Sequence, residues 1–151
     1  MHVYIMKVLS SSSNIASDQL LEGFKKSKKN KEPIFVFFYM EGCGPCNATR
    51  PEWDKIKEDK SVQNKKFTIA DFEFTFIEKL NIGITPSGFP AMYYIKGKSI
   101  EKYEDSGISI KNRTSESFVL WIKSKLRKKR KTKKKKTKHS KKIISSRRTN
   151  E

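Results

Sequence analysis

Cysteine and histidine are the scarcest reactive residues in this chain of 151 residues, with two of each: Cys43, Cys46, His2 and His139. So small a set excludes a secreted fold stapled by several disulfides. It also leaves no quartet of nearby ligands for a structural zinc site, so no metal is expected. Long hydrophobic runs are missing too, since none approaches the ~20 apolar residues that a membrane-spanning helix requires. The apolar stretch 2–9 is short and alternating and lacks a basic leader, so it reads as a strand and not as a secretory signal. There is no internal repeat. Acidic residues are outnumbered, with 16 Asp+Glu against 34 Lys+Arg and a formal net charge of +18. Residues 127–151 hold 14 of the basic residues and one of the acidic ones, a net +13, which leaves +5 for residues 1–126. The composition therefore divides the chain into a globular domain, 1–126, and a Lys/Arg-rich tail, 127–151, expected to be disordered because it has little to bury beyond Ile143 and Ile144.

The strongest local signal is an uninterrupted apolar run over residues 34–40 that leads into Cys43-Gly44-Pro45-Cys46. A run without alternation predicts a central strand covered on both faces. A Cys-x-x-Cys at the end of such a strand, with a helical pattern starting there, reads as a dithiol redox site. A helix N-terminus stabilises the thiolate of the first cysteine. Gly44 and Pro45 keep the loop tight, and Pro45 suits a first helical turn because its missing N–H would be unpaired there anyway. Thiol–disulfide exchange needs an accessible attacking thiolate and a second thiol that releases the product, roles that suit Cys43 and Cys46 respectively. The structural alternatives are an inert local disulfide or half of a zinc site shared between molecules.

Around this site the pattern predicts a first strand with Val3, Ile5 and Val8, then a helix capped by Ser17 and carrying Leu20, Leu21 and Phe24 on one face. Residues 25–31 read as a charged loop. After the dithiol a helix reaches about residue 59, with a kink at Pro51. A strand over 67–72, a short helix over 74–80 and a Gly/Pro-rich loop over 82–89 follow. Strands over 91–95 and 99–103 form a hairpin through Lys96-Gly97-Lys98. A last helix, capped by Ser115, carries Phe118, Val119, Ile122 and Leu126. Trp53, Phe67, Phe72 and Trp121 are expected in the core. This order gives an α/β domain, a mixed sheet with helices on both faces.

Cys43-Gly44-Pro45-Cys46, Pro51 five residues on, and Gly88-Phe89-Pro90 before a strand together resemble the thioredoxin superfamily. Phe38-Tyr39, Pro51-Glu52-Trp53 and Arg113-Thr114 make the phrasing similar to the catalytic domains of protein disulfide isomerases. The resemblance covers roughly residues 3–126 and implies a thioredoxin fold and a thiol–disulfide oxidoreductase acting on protein disulfides. Its only redox group would be the Cys43–Cys46 disulfide, with no other cofactor. Direction is left open among reduction, oxidation and isomerisation, although Gly-Pro between the cysteines resembles the reducing members, near −270 mV. The resemblance also implies a cis Pro90, with Gly42, Gly44, Pro45, Phe89 and Pro90 contacting substrate and the Phe89 backbone offering an edge for strand addition. An ordinary trans proline is the alternative.

Three positions depart from the family. Gly42 stands where a Trp is usual, Phe37 where a buried acid normally accepts the second thiol's proton, and Asp71 where that acid's lysine partner usually lies. Asp71 could take over proton acceptance if partly buried, which would raise its pKa. Otherwise it faces solvent at a strand end. Arg113 matches an arginine that lowers the pKa of the second thiol in isomerase domains, or else is an exposed loop residue without a role.

The tail suits a polyanion or nucleic acid bound through counterion release, and it resembles a nuclear-import signal. It could equally serve only solubility. A monomer in the cytoplasm or nucleus is expected. Lysine- and asparagine-rich usage fits an AT-rich genome, including that of a large DNA virus, whose virion is a further expected location. The rival reading of the whole chain is a non-catalytic or weakly redox-active binding module docked by its tail.

Overall fold

The computed structural model describes residues 6–127. Over these the chain runs β1 (Lys7–Ser10), α1 (Ser17–Lys29), β2 (Ile34–Tyr39), α2 (Gly44–Asp54), a 3-10 turn (Lys55–Glu58) and α3 (Lys60–Gln63). It continues through β3 (Thr68–Glu73), α4 (Phe76–Leu80), β4 (Ala91–Lys96), β5 (Ser99–Lys102), a second 3-10 turn (Tyr103–Asp105) and α5 (Ser115–Leu126). The expected strand residues Val3 and Ile5, both histidines and the tail from residue 128 lie outside the described residues.

Five strands form one sheet in the order β1-β3-β2-β4-β5. β1, β3 and β2 are parallel, whereas β4 runs antiparallel to β2 and β5 runs antiparallel to β4. All six residues of β2 are buried, as the unbroken apolar run requires of a strand sandwiched between helices. Phe35, Phe37 and Tyr39 point into one core with Cys46, Trp53, Phe118 and Trp121. Ile34, Val36 and Phe38 point into the other, with Leu20, Phe24, Phe72 and Phe76. The two-residue period of the strand thus divides one apolar run between two layers of helix. The expected thioredoxin architecture, a mixed sheet covered on both faces, is the one found.

The helix boundaries shift from expectation for local reasons. Ala16, not Ser17, is the N-cap of α1, and no side chain caps that end. Residues 25–29 continue α1 instead of forming a loop, since lysine is a good helix former. The chain turns at Lys31, whose φ is +56°. α2 continues through Pro51 to Asp54 and then tightens into the 3-10 turn, short of one helix to residue 59. At α5 the cap is Thr114, whose Oγ1 accepts the Ser117 N–H at 3.3 Å. Ser115 is already helical, and its N–H donates to the Glu52 carboxylate at 3.1 Å. Among the described residues no helix is long and apolar enough to cross a membrane.

Candidate functional site: the dithiol loop

The loop between β2 and α2 begins with Gly42 at φ +78°, a left-handed conformation with open space where a side chain would stand. Glycine is therefore favoured here by backbone, not by room. Cys43 follows as the N-cap of α2 in extended conformation (φ −81°, ψ 115°), and its Sγ accepts the Cys46 N–H at 3.2 Å. The two cysteines are joined as a disulfide with their Cα atoms 5.2 Å apart. Pro45, the second helical residue, occupies a position where no intrahelical N–H bond is made.

Their surroundings differ. Cys43 is half-buried at the helix mouth, whereas Cys46 is fully buried in the core that contains Phe37 and Trp53. On reduction, the first sulfur would meet both solvent and the positive end of α2, conditions that favour a thiolate. The second would stay in apolar surroundings, which favour the protonated thiol.

Facing the disulfide is the Phe89–Pro90 peptide, which is cis as the resemblance implied. Cys43 Sγ lies 3.8 Å from the Phe89 carbonyl oxygen. A disulfide sulfur carries no proton, so this is a contact and not a hydrogen bond. Phe89 stands two residues before β4, outside the ladder whose last pair with β2 is Phe38↔Ala91. Its ring packs on Phe74 with centroids 6.0 Å apart. Phe74 and Met40, both exposed, carry apolar surface from β3 and β2 toward the same end of the sheet. Phe74 was not apparent as a site residue in the sequence, where it read as the start of a helix.

Arg113 is exposed and is not brought to the cysteines. It lines a groove of about 410 Å³ with Phe89, Pro90, Lys102, Glu104 and Asp105, on the β5 side of the cis proline.

Asp71 does not face solvent: it is 4% exposed, which removes the alternative of an open strand end. Its register partner on β2 is Phe37, and it points to the same face of the sheet as Ile69, toward α2. Ser10 Oγ donates to its Oδ2 at 2.5 Å, and Lys57 Nζ donates to its Oδ1 at 3.1 Å. Burial pushes the Asp71 carboxyl above its ordinary value, against the opposing pull of Ser10 and Lys57. Burial also works against the Lys57 ammonium, but the carboxylates of Asp71 and Asp54 outweigh it and hold its pKa above that of an ordinary lysine. A buried acid and lysine are thus both present. The acid stands on β3 and the lysine comes from the turn after α2, while Phe37 stacks on Trp53 with centroids 5.4 Å apart. Nothing in the sequence marked Lys57, because its meeting with Asp71 depends on how the 3-10 turn crosses the sheet.

Among the described residues no group of three or more His, Cys, Asp or Glu side chains is placed to hold a metal ion.

Comparison with known proteins places this geometry. Rat protein disulfide-isomerase A4 is 24% identical over 102 residues, which cover 68% of this chain and 15% of that protein. The chain therefore corresponds to a small part of the relative's length. The first thioredoxin domain of mouse protein disulfide-isomerase A4 superposes with a TM-score of 0.55 at 19% identity, covering 83% of this chain and 94% of the domain. The J-Trx1 fragment of ERdj5 gives a TM-score of 0.56 at 20% identity, covering 80% of this chain and 50% of the fragment. At such identities the structures speak for the fold alone. The thioredoxin family model, however, matches residues 18–124, most of the chain, from α1 through the dithiol loop and the cis proline into α5. The chain belongs to the thioredoxin family.

Proposed function

We propose that this protein exchanges disulfides with protein substrates through Cys43 and Cys46, with Cys43 as the attacking sulfur. Family membership and a close cysteine pair support thiol–disulfide oxidoreductase chemistry in general. The observation that carries the finer reading is the asymmetry of the pair, one sulfur at the helix mouth beside Phe89 and the other sealed in the core.

In the reducing direction, the Cys43 thiolate attacks one sulfur of a substrate cystine. A mixed disulfide forms and the substrate's other sulfur leaves as a thiolate. Cys46 then loses its proton and attacks Cys43 Sγ, which expels the second substrate thiolate. The substrate gains two electrons, and the Cys43–Cys46 disulfide is regenerated for re-reduction by an external dithiol. Oxidation of a substrate dithiol is the same sequence reversed. The Phe89 backbone, outside the ladder, is the edge on which an extended substrate chain would pair. Met40, Phe74 and Phe89 give its side chains an apolar collar, and Arg113 lies farther along the groove. Gly42, Gly44 and Pro45 leave the approach to Cys43 low.

Asp71 is the proposed acceptor of the Cys46 proton. Its support is position on the same face, burial and a raised pKa, the condition a base near neutrality needs. Both carboxylate oxygens are already bonded, to Ser10 and Lys57, so transfer from Cys46 would run through an intervening water.

Reduction of insulin by the full-length chain tests the main reading. Cys43→Ser is expected to bring turnover to background. Turnover that survives this substitution would favour the rival binding-module reading.

A further inference from the structure

The opposite end of the molecule carries a feature that redox chemistry does not use. The C-terminal half of α1 and the β4–β5 turn enclose a hollow of about 880 Å³ lined by Lys25, Lys28, Lys29, Lys31, Lys96 and Lys98. No carboxylate lines it, and among the described residues none of these six lysines has an ion-pair partner. Lys25, Lys28 and Lys29 are three and four apart and so share one face of α1. Lys31 leaves the helix in left-handed conformation, and its stem crosses the hairpin turn at Gly97, where an added Cβ would lie 3.3 Å from Lys31 Cγ. The helix end and the turn are therefore packed together, and lysines of both elements line one hollow.

Lysines in the last turn of α1 complement the helix dipole, which accounts for Lys28 and Lys29. It does not account for Lys96 and Lys98, which bring the same sign from another element. Gathering like charges around one hollow is unfavourable unless an anion occupies it. The hollow has room for several phosphates.

We infer that this lysine-lined hollow binds the phosphate backbone of nucleic acid. Its lining argues against an acidic protein: it has neither an aromatic residue nor an arginine, and Leu80 is its one large apolar residue, whereas protein interfaces concentrate aromatics and arginine at their centre and deplete lysine. Binding to nucleic acid needs only neutralised phosphates and released counterions. The end of α5 packs on the other face of the sheet, where Lys125 pairs with Glu101 of β5 at 2.6 Å, while the hollow stands on the α1 side. β2 starts here and runs away toward the dithiol, six residues or about 20 Å distant. A polymer bound in the hollow leaves Cys43 free. The inference does not depend on the redox reading.

The test uses the full-length chain and a labelled mixed-sequence DNA duplex of about 30 base pairs, long enough to span several phosphate contacts, followed by fluorescence anisotropy from low to high salt. Lys28, Lys31, Lys96 and Lys98, all changed to Gln, are compared with an equal-charge control in which Lys60, Lys65, Lys111 and Lys123 become Gln. The hollow variant is expected to lower the slope of log affinity against log salt by about 2 to 4, and to weaken binding at 0.1 M salt by about 100-fold or more. The control should change far less. Insulin turnover should stay at the wild-type level in both, which also shows that both fold. Equal losses in the two variants would overturn the inference, because net charge alone would then explain them. So would a hollow variant that loses affinity for polyglutamate while keeping its affinity for the duplex.

Discussion

The two ends of β2 present opposite chemistry. At its C-terminal end the surface is apolar around a reactive sulfur, with Met40, Phe74 and Phe89 near a half-buried Cys43. At its N-terminal end the surface is a hollow walled by six lysines. On the proposed reading, one brings a polypeptide close to a single atom and the other neutralises a spread of negative charge. The difference teaches that a single buried strand can hold two unrelated surfaces apart without a second domain. The rigid aromatic core between them, including Phe35, Phe37, Trp53 and Trp121, keeps both in register.

The largest effect that would separate the ends is chemical. Cys46→Ala is expected to reduce insulin turnover to background and to accumulate a mixed disulfide on Cys43, seen on non-reducing gels, while duplex affinity stays unchanged. Loss of duplex affinity in this variant would mean that the ends are coupled. Next in size is damage to the core they share. Trp53→Ala removes a fully buried ring that meets Phe37, Phe118 and Trp121. It should cost about 3–5 kcal/mol in urea unfolding and weaken both functions together. A smaller, one-sided effect is expected at the lysine end. Gly97 has φ +61° and stands against the Lys31 stem, so Gly97→Ala should cost about 1–2 kcal/mol. Insulin turnover by the folded fraction should remain at the wild-type rate.

The smallest effect concerns pH and Asp71. Because burial holds its carboxyl above the ordinary value, the folded chain takes up that proton before the unfolded chain does. Wild-type stability should therefore gain on that of Asp71→Asn as the pH falls through the folded pKa, and the gain is complete below the ordinary aspartate value of about 3.9. Lys57, held above an ordinary lysine, contributes stability that is lost only at alkaline pH, outside this window. Urea unfolding of both proteins at neutral and acid pH reads the difference, and a wild type that loses stability relative to the variant on acidification would contradict it. If Asp71 also takes the Cys46 proton, the same variant flattens the pH profile of insulin turnover. An unchanged profile removes that role.

Much of the redox end was readable from the residues. The apolar run over β2, the Cys-x-x-Cys beyond it and Phe89-Pro90 are local signals, each encoded within a few neighbouring positions. What stayed hidden depends on crossings between distant elements. Phe74 reaches Phe89 only because β3 ends beside β2. Lys57 reaches Asp71 only because the turn after α2 passes over the sheet. The lysine hollow joins residues about 70 positions apart, and in the sequence its members were indistinguishable from the other lysines of a basic chain. The helix caps failed by a single residue at both Ser17 and Ser115, since a hydroxyl at the right place does not say which residue keeps the extended backbone that an N-cap requires.

The central claim is that Cys43 is the ionised, attacking sulfur and Cys46 its sealed partner. Alkylation of the reduced full-length chain with iodoacetamide across a pH series, with each cysteine quantified by mass spectrometry, tests it directly. Cys43 should react first, with an apparent pKa below the ordinary cysteine value of about 8.5, while Cys46 stays unmodified in the folded protein. Preferential labelling of Cys46, or a Cys43 that titrates at or above that value, would contradict the account.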